Sequence, residues 1–121
     1  MKLPVKIFVY GTLMPDHGNY DFFLKGLTSH EERATVTGEL WGYNGIPMLI
    51  YGDDKIKGWV VDLDHTWQLY VIDRLEYGYT RTMREVTLED GKKVEAFVYM
   101  FAKDTAIEIG AEPTGRNSYA T

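Results

Sequence analysis

The chain has 121 residues, 45% apolar and 26% charged, which suits one soluble folded domain, 1–121, with a single core. Its net charge of −5 argues against the basic face a nucleic-acid surface requires, and the absence of cysteine excludes disulfides, thiolate metal sites and a cysteine nucleophile together. Apolar runs are too short for a membrane span, and Pro4, Gly11, Pro15 and Asp16 interrupt what a signal peptide would need, so no membrane partner and a cytoplasmic setting are expected.

In chain order, Ile7–Tyr10 is a compact β-branched and aromatic run that predicts a buried strand ending in a turn at Gly11-Thr12. Gly11 allows a left-handed or closely approached backbone there, so the N–H groups of Gly11, Thr12 and Leu13 could converge on a carboxylate or an oxyanion; a glycine that only turns the chain fits the tetrapeptide as well. Residues 14–18 read as loop, Asn19 as the cap of a short helix over Tyr20–Leu24, and Gly26 as its end. Ala34–Tyr43 predicts a strand with a bulge or bend at Gly38, Asn44-Gly45 a hairpin turn, and Pro47–Tyr51 the returning strand. Gly52-Asp53-Asp54 reads as a further turn before a strand over Lys55–Leu63, in which Gly58 marks a bend or a close approach.

Leu69, Ile72 and Leu75, with Trp67 and Val71 beside them, form the apolar stripe of the principal helix, capped by Asp64 or Thr66 and ended by a left-handed Gly78. Two strands follow, Thr82–Leu88 and Lys93–Phe101, joined by a hairpin at residues 89–92. Residues 102–121 lose the pattern and predict an irregular tail, pinned by Tyr119 if at all. The expected fold is α+β: a small mixed, mostly antiparallel β-barrel or curled sheet, one principal helix and short flanking helices.

Chemistry-bearing residues are few. His17, His30 and His65 are scattered without metal-ligand spacing, so no metal site is expected, and Ser29 and Ser118, the only serines, lack a nucleophile-elbow context. Trp41, Trp59 and Trp67 each sit inside an apolar pattern and read as core or cavity wall. The one compact polar cluster on an apolar element is Asp73, Glu76, Tyr79 and Arg81. Glu76 closes the principal helix, where the macrodipole disfavours an anion and raises affinity for a proton, the property of a general acid/base. A solvated helix-end glutamate paired with Arg74 or Arg81 fits the same window, and Asp73 reads as support.

The strand ending Val9-Tyr10-Gly11-Thr12-Leu13, the Gly45-Ile46-Pro47-Met48 hairpin, Ile56 to Val61, and Ile72-Asp73-Arg74-Leu75-Glu76 followed by Tyr79-Thr80-Arg81 together resemble the gamma-glutamylcyclotransferase-like superfamily. More narrowly they resemble its gamma-glutamylamine cyclotransferase or AIG2-like branch, over Lys6 to Phe101. The resemblance implies a small β-barrel with an active-site cavity, Tyr10, Gly11, Thr12 and Leu13 as the substrate-binding loop, and Glu76 as catalytic acid/base, with Asp73, Tyr79 and Arg81 in support. It implies conversion of a γ-glutamyl amide to 5-oxoproline and a free amine without a cofactor; a noncatalytic metabolite-binding module on the same fold is the competing expectation. The chain departs from the pattern at Tyr77, where a glycine commonly follows the glutamate, and in a spacing to Tyr79 one residue shorter, both on the leaving-group side.

Overall fold

Successive side chains of a strand point to opposite faces, so an uninterrupted apolar run such as Ile7–Tyr10 can feed two cores at once. The computed structural model of this chain describes residues 2–15 and 17–119, with backbone alone at 21–23; the predicted loop residue Asp16 lies outside the described residues. The elements are β1 (Val5–Val9), α1 (Gly18–Phe23), β2 (Thr28–Tyr43), β3 (Ile46–Leu63), α2 (Trp67–Leu75), β4 (Thr80–Leu88), β5 (Lys93–Met100), α3 (Lys103–Ile109) and β6 (Glu112–Pro113). In β1, Phe8 joins Tyr10 and residues of the other four long strands in one core, while Val5, Ile7 and Val9 join Leu24 of the α1 region and Leu69 and Ile72 of α2 in a second.

The five long strands close on themselves. β1 pairs antiparallel with β3 and parallel with β5, β3 pairs with β2, β2 with β4, and β4 with β5, all antiparallel. The α+β barrel expected from the sequence is therefore present, with α2 and α1 over one side of it and the short β6 added to the edge of β2.

Asn44 and Gly45 both adopt positive φ, at 49° and 78°, which is the backbone of the predicted tight hairpin. The predicted turn at residues 52–54 is instead a bulge. Gly38 pairs with Asp54 and Glu39 with Ile50, so Tyr51, Gly52 and Asp53 are spare residues within a single long strand, and the two separate strands expected there are one. Gly58 is required because β1 lies against it: a Cβ there would fall 2.3 Å from the Val9 carbonyl oxygen.

Helix α2 buries Leu69 and Ile72, each worth about 1.5–3 kcal/mol in removal from water, but also Gln68, while Trp67 and Leu75 of the predicted stripe stay exposed. Thr66 occupies the N-cap without a side-chain cap bond; the Gln68 side-chain oxygen accepts from the His65 N–H at 2.9 Å and fixes the helix start instead. Gly78, at φ 94°, lies just beyond the helix end as predicted.

The tail expected to be irregular is not. Residues 103–109 form α3, which buries Ala106 against Trp41, Met48 and Ile50 and ends at a left-handed Gly110. Beyond it, Glu112 and Pro113 pair with Gly42 and Trp41, the Thr114 hydroxyl donates to the Leu40 carbonyl, and the Asn117 carbonyl accepts from the Lys57 N–H at 2.7 Å. None of the described helices is long and apolar enough to cross a membrane.

Candidate active site

A cavity of about 430 Å³ opens where three distant stretches meet: the turn after β1, the β2–β3 hairpin tip and the end of α2. Tyr10, Gly11, Thr12 and Leu13 line it from the first, Gly45, Ile46 and Pro47 from the second, and Leu75, Glu76, Tyr77 and Tyr79 from the third, with Asn19, Tyr99 and Tyr119 completing the wall. The predicted loop and the predicted acid/base thus border one hollow.

The turn is held by its carbonyls. Gly11 O accepts from Met14 N at 3.0 Å, and Thr12 O accepts from Asn19 N at 3.1 Å and Tyr20 N at 3.2 Å, tying the turn to the start of α1. Asn19, predicted as the helix cap, lies inside the helix, whose N-cap is His17, and its side-chain amide donates to the Thr12 hydroxyl at 2.6 Å. No hydrogen bond among the described residues engages the N–H of Thr12 or Leu13. Gly11 is not at positive φ, so of its two predicted uses the close approach is the one realised: a Cβ would meet Pro47 Cγ at 3.0 Å.

Glu76 is the C-cap of α2. Its N–H donates to Ile72 O at 2.8 Å and its carbonyl accepts from Tyr79 N at 3.0 Å, so its backbone is fixed on both sides. Its half-buried carboxyl has neither an ion pair nor a hydrogen bond among the described residues, and Arg81, offered as its partner, pairs with Asp73 at 3.6 Å. Burial raises its pKa above the usual carboxylate range, which is a different cause from the helix dipole expected from sequence.

Three tyrosines stand around this carboxyl, and all three are kept neutral. Burial raises the pKa of Tyr10, Tyr79 and Tyr99, and the charge of Glu76 adds a smaller upward push at each. Their hydroxyls donate elsewhere: Tyr79 to the Pro47 carbonyl at 2.6 Å, Tyr99 to Asp73 Oδ1 at 2.7 Å, and Tyr10 to the Tyr99 carbonyl at 2.6 Å while accepting from Leu49 N at 3.3 Å. Tyr10 therefore lines the cavity with its hydroxyl committed to the fold.

Asp73 and Arg81 do not line the cavity. Asp73 holds the Tyr99 hydroxyl, and Arg81 lies 4.8 Å over the Phe97 ring while pairing with Asp73, so both act on the site through Tyr99. Of the tryptophans, Trp41 packs against α3, Trp59 lies beneath the Arg33 guanidinium at 5.0 Å, and Trp67 is half exposed; none borders the cavity. Tyr99 is a wall residue that sequence patterning does not single out, since barrel closure brings it to the turn; Pro47 arrives the same way on the hairpin tip, and Asn19 comes locally, through its bonds to Thr12.

Among solved structures, a mouse AIG2-like protein is 27% identical, with a TM-score of 0.78 over 98% of this chain and 89% of that one. An Arabidopsis thaliana protein at 23% identity has a TM-score of 0.72, covering 84% of this chain and 71% of that one. A uropathogenic E. coli protein at 19% has 0.70, covering 98% and 94%; these two speak to fold alone. Comparison with curated proteins finds no match. The family model described as gamma-glutamyl cyclotransferase, AIG2-like, matches residues 7–117, and the chain belongs to that family.

Proposed function

We propose that this chain is an enzyme that converts a small γ-glutamyl amide into 5-oxoproline and a free amine, with Glu76 as acid/base. The observation that carries the reading is the half-buried Glu76 carboxyl, without an ion pair or hydrogen bond among the described residues, on the wall of the cavity that the Gly11–Leu13 turn also lines. A carboxyl raised by burial takes up a proton more readily than a solvated one and returns it nearer neutral pH.

In this scheme the substrate supplies its own nucleophile. The cavity folds the glutamyl chain so that its α-nitrogen lies against its γ-carbonyl carbon, a placement worth effective molarities of roughly 10⁵ M and above. The α-ammonium releases one proton to water, and Glu76 accepts a second from the attacking nitrogen as the new N–C bond forms and the carbonyl oxygen becomes an oxyanion. The N–H groups of the turn bind the glutamyl end and that oxyanion, one good donor being typically worth about 3 kcal/mol. Glu76 then passes its proton to the departing nitrogen as the old C–N bond breaks. The atoms balance without metal, cofactor or covalent enzyme intermediate, and the reading includes a cytoplasmic setting with neither nucleic acid nor membrane as partner.

The test is 5-oxoproline release from a panel of γ-glutamyl amides, beside Glu76→Gln. The wild type should turn over at least one amide and the variant should lose about 10²- to 10⁴-fold. Binding without turnover by the wild type would favour a noncatalytic module, and near-normal rates in the variant would remove Glu76 from the scheme.

A further inference from the structure

A second groove, of about 600 Å³, lies on the outside of the barrel and shares no lining residue with the cavity at Glu76. Its floor is the outer face of β2 with β3 and β4 on either side, and Pro15, His17 and Ser118 stand around it. The pairing register decides what that floor presents. Arg33 stands opposite Trp59, Thr35 opposite both Lys57 and Thr87, and Thr37 opposite Lys55, while the alternating Ala34 and Val36 enter the core. Arg33 and Lys57 are therefore diagonal neighbours across two strands, roughly 7–8 Å apart at the backbone. Two long side chains at that spacing can close on one small group between them.

Charge says what that group is. Arg33, Lys55 and Lys57 line the groove against one carboxylate, Glu89, in a chain whose net charge is −5. Other strand cations face a carboxylate: Lys6 pairs with Asp62, Arg81 with Asp73 and Lys93 with Glu85. Among the described residues no ion pair or hydrogen bond engages the side chains of Lys55 or Lys57, and the Arg33 guanidinium lies 5.0 Å over the Trp59 ring without an anion. Like charges gathered on one sheet face repel, and a bound anion removes that cost.

We propose that this groove is a second binding site, for a small aromatic phosphomonoester. Arg33 and Lys57 hold the phosphate from two sides, the Thr35 and Thr87 hydroxyls hydrogen-bond it, and Lys55 adds to the field. Three cations beside one carboxylate match the near-double negative charge of a phosphomonoester at neutral pH better than a single carboxylate would. The aromatic part packs on the exposed side of Arg33 and against Pro15, since a guanidinium seated on one ring takes another on its free face. The groove has the volume of a small-molecule site. Nothing in this assignment depends on the cyclotransferase reading.

Phenyl phosphate, inorganic phosphate and phenol, titrated into the full chain by calorimetry at low ionic strength, separate the two halves of such a ligand. Phenyl phosphate should bind with a Kd of about 1 mM or tighter, and inorganic phosphate and phenol each at least about fivefold more weakly. Arg33→Gln and Lys57→Gln, both at exposed strand positions, should each weaken phenyl phosphate about fivefold or more. Lys103→Gln removes the same charge from α3, outside the groove, and should change the affinity less than about twofold. Amide NMR shifts should fall on residues 33–35 and 57–59. The absence of saturable phenyl phosphate binding below about 20 mM overturns the proposal. So does an equal loss in Lys103→Gln, which reduces the effect to net charge, or equal affinity for inorganic phosphate, which removes the aromatic part. Shifts confined to Gly11–Leu13 and Glu76 would put the probe in the other cavity and overturn it as well.

Discussion

Tyr10→Phe removes one oxygen atom and separates the structural role of this residue from any catalytic one. The hydroxyl bridges β3 and β5 where their parallel contact is a single pair, Leu49 with Met100: it donates to Tyr99 O at 2.6 Å and accepts from Leu49 N at 3.3 Å. Tyr10, Leu49 and Tyr99 are all buried, so neither backbone group regains water when the oxygen is lost. An orphaned buried group costs about 1–3 kcal/mol; the long Leu49 bond belongs at the low end, and the pair together comes to about 2–4 kcal/mol. With unfolding entropy of about 2.1 cal/mol/K per residue, a chain of 121 residues should lose about 8–16 °C in Tm. Urea titration should show a lower midpoint at unchanged slope. Activity at a temperature where the variant is folded should fall less than about tenfold, because the hydroxyl is not available to substrate. A stability loss below about 0.5 kcal/mol, or a large activity loss in a fully stable variant, would refute the reasoning.

Glu76→Gln should stabilise the fold as pH rises. Burial raises the folded carboxyl above its ordinary 4.5, so its favourable contribution is complete below that unfolded value and is lost as pH climbs through the folded one. The variant's advantage in urea midpoint should therefore be small at pH 4 and greater at pH 8, each tenfold gain in the carboxyl's proton affinity on folding being worth about 1.4 kcal/mol; an advantage that shrinks with pH would contradict the burial argument. Gly11→Val should weaken binding of 5-oxoproline about tenfold or more, because a Cβ already falls 3.0 Å from Pro47 Cγ and the two methyl groups must enter the turn or the hairpin tip; calorimetric titration showing wild-type affinity would remove the turn from the site. Asp73→Asn keeps an acceptor for the Tyr99 hydroxyl but loses the charge facing Arg81, and since that pair is partly exposed the expected stability loss is under about 1 kcal/mol, read by urea titration.

Much of the architecture is legible where local chemistry and final geometry coincide. Asn44-Gly45 reads as a hairpin because few other residue pairs take two successive positive φ values, and the barrel places them there. The segment 51–53 misleads for a related reason: residues that turn a chain also accommodate a bulge, and only the partner strand decides between them. Because β2 pairs with β3 on both sides of that segment, the chain bends without reversing. Helix α3 leaves little trace in the sequence, since seven residues with one buried alanine carry no apolar stripe, and it is held by Trp41, Met48 and Ile50 from elsewhere in the chain.

The site shows the same division. That Glu76 terminates a helix is local and readable; that its carboxyl lies among Tyr10, Tyr79 and Tyr99 is a consequence of barrel closure, which brings β1, the end of α2 and β5 to one point. The sequence suggests a raised proton affinity through the helix dipole, whereas the folded chain supplies it through burial. The two causes differ in what they predict. A dipole effect is weakened by salt and confined to the last turn, but a burial effect persists at high ionic strength and disappears when the wall is opened. Tyr79→Ala, which removes a wall ring whose hydroxyl is anchored on Pro47 O, should therefore bring the Glu76 pKa back toward 4.5 in an NMR titration, while raising salt in the wild type should move it little. The reverse pattern, salt-sensitive and indifferent to Tyr79, would return the explanation to the helix end.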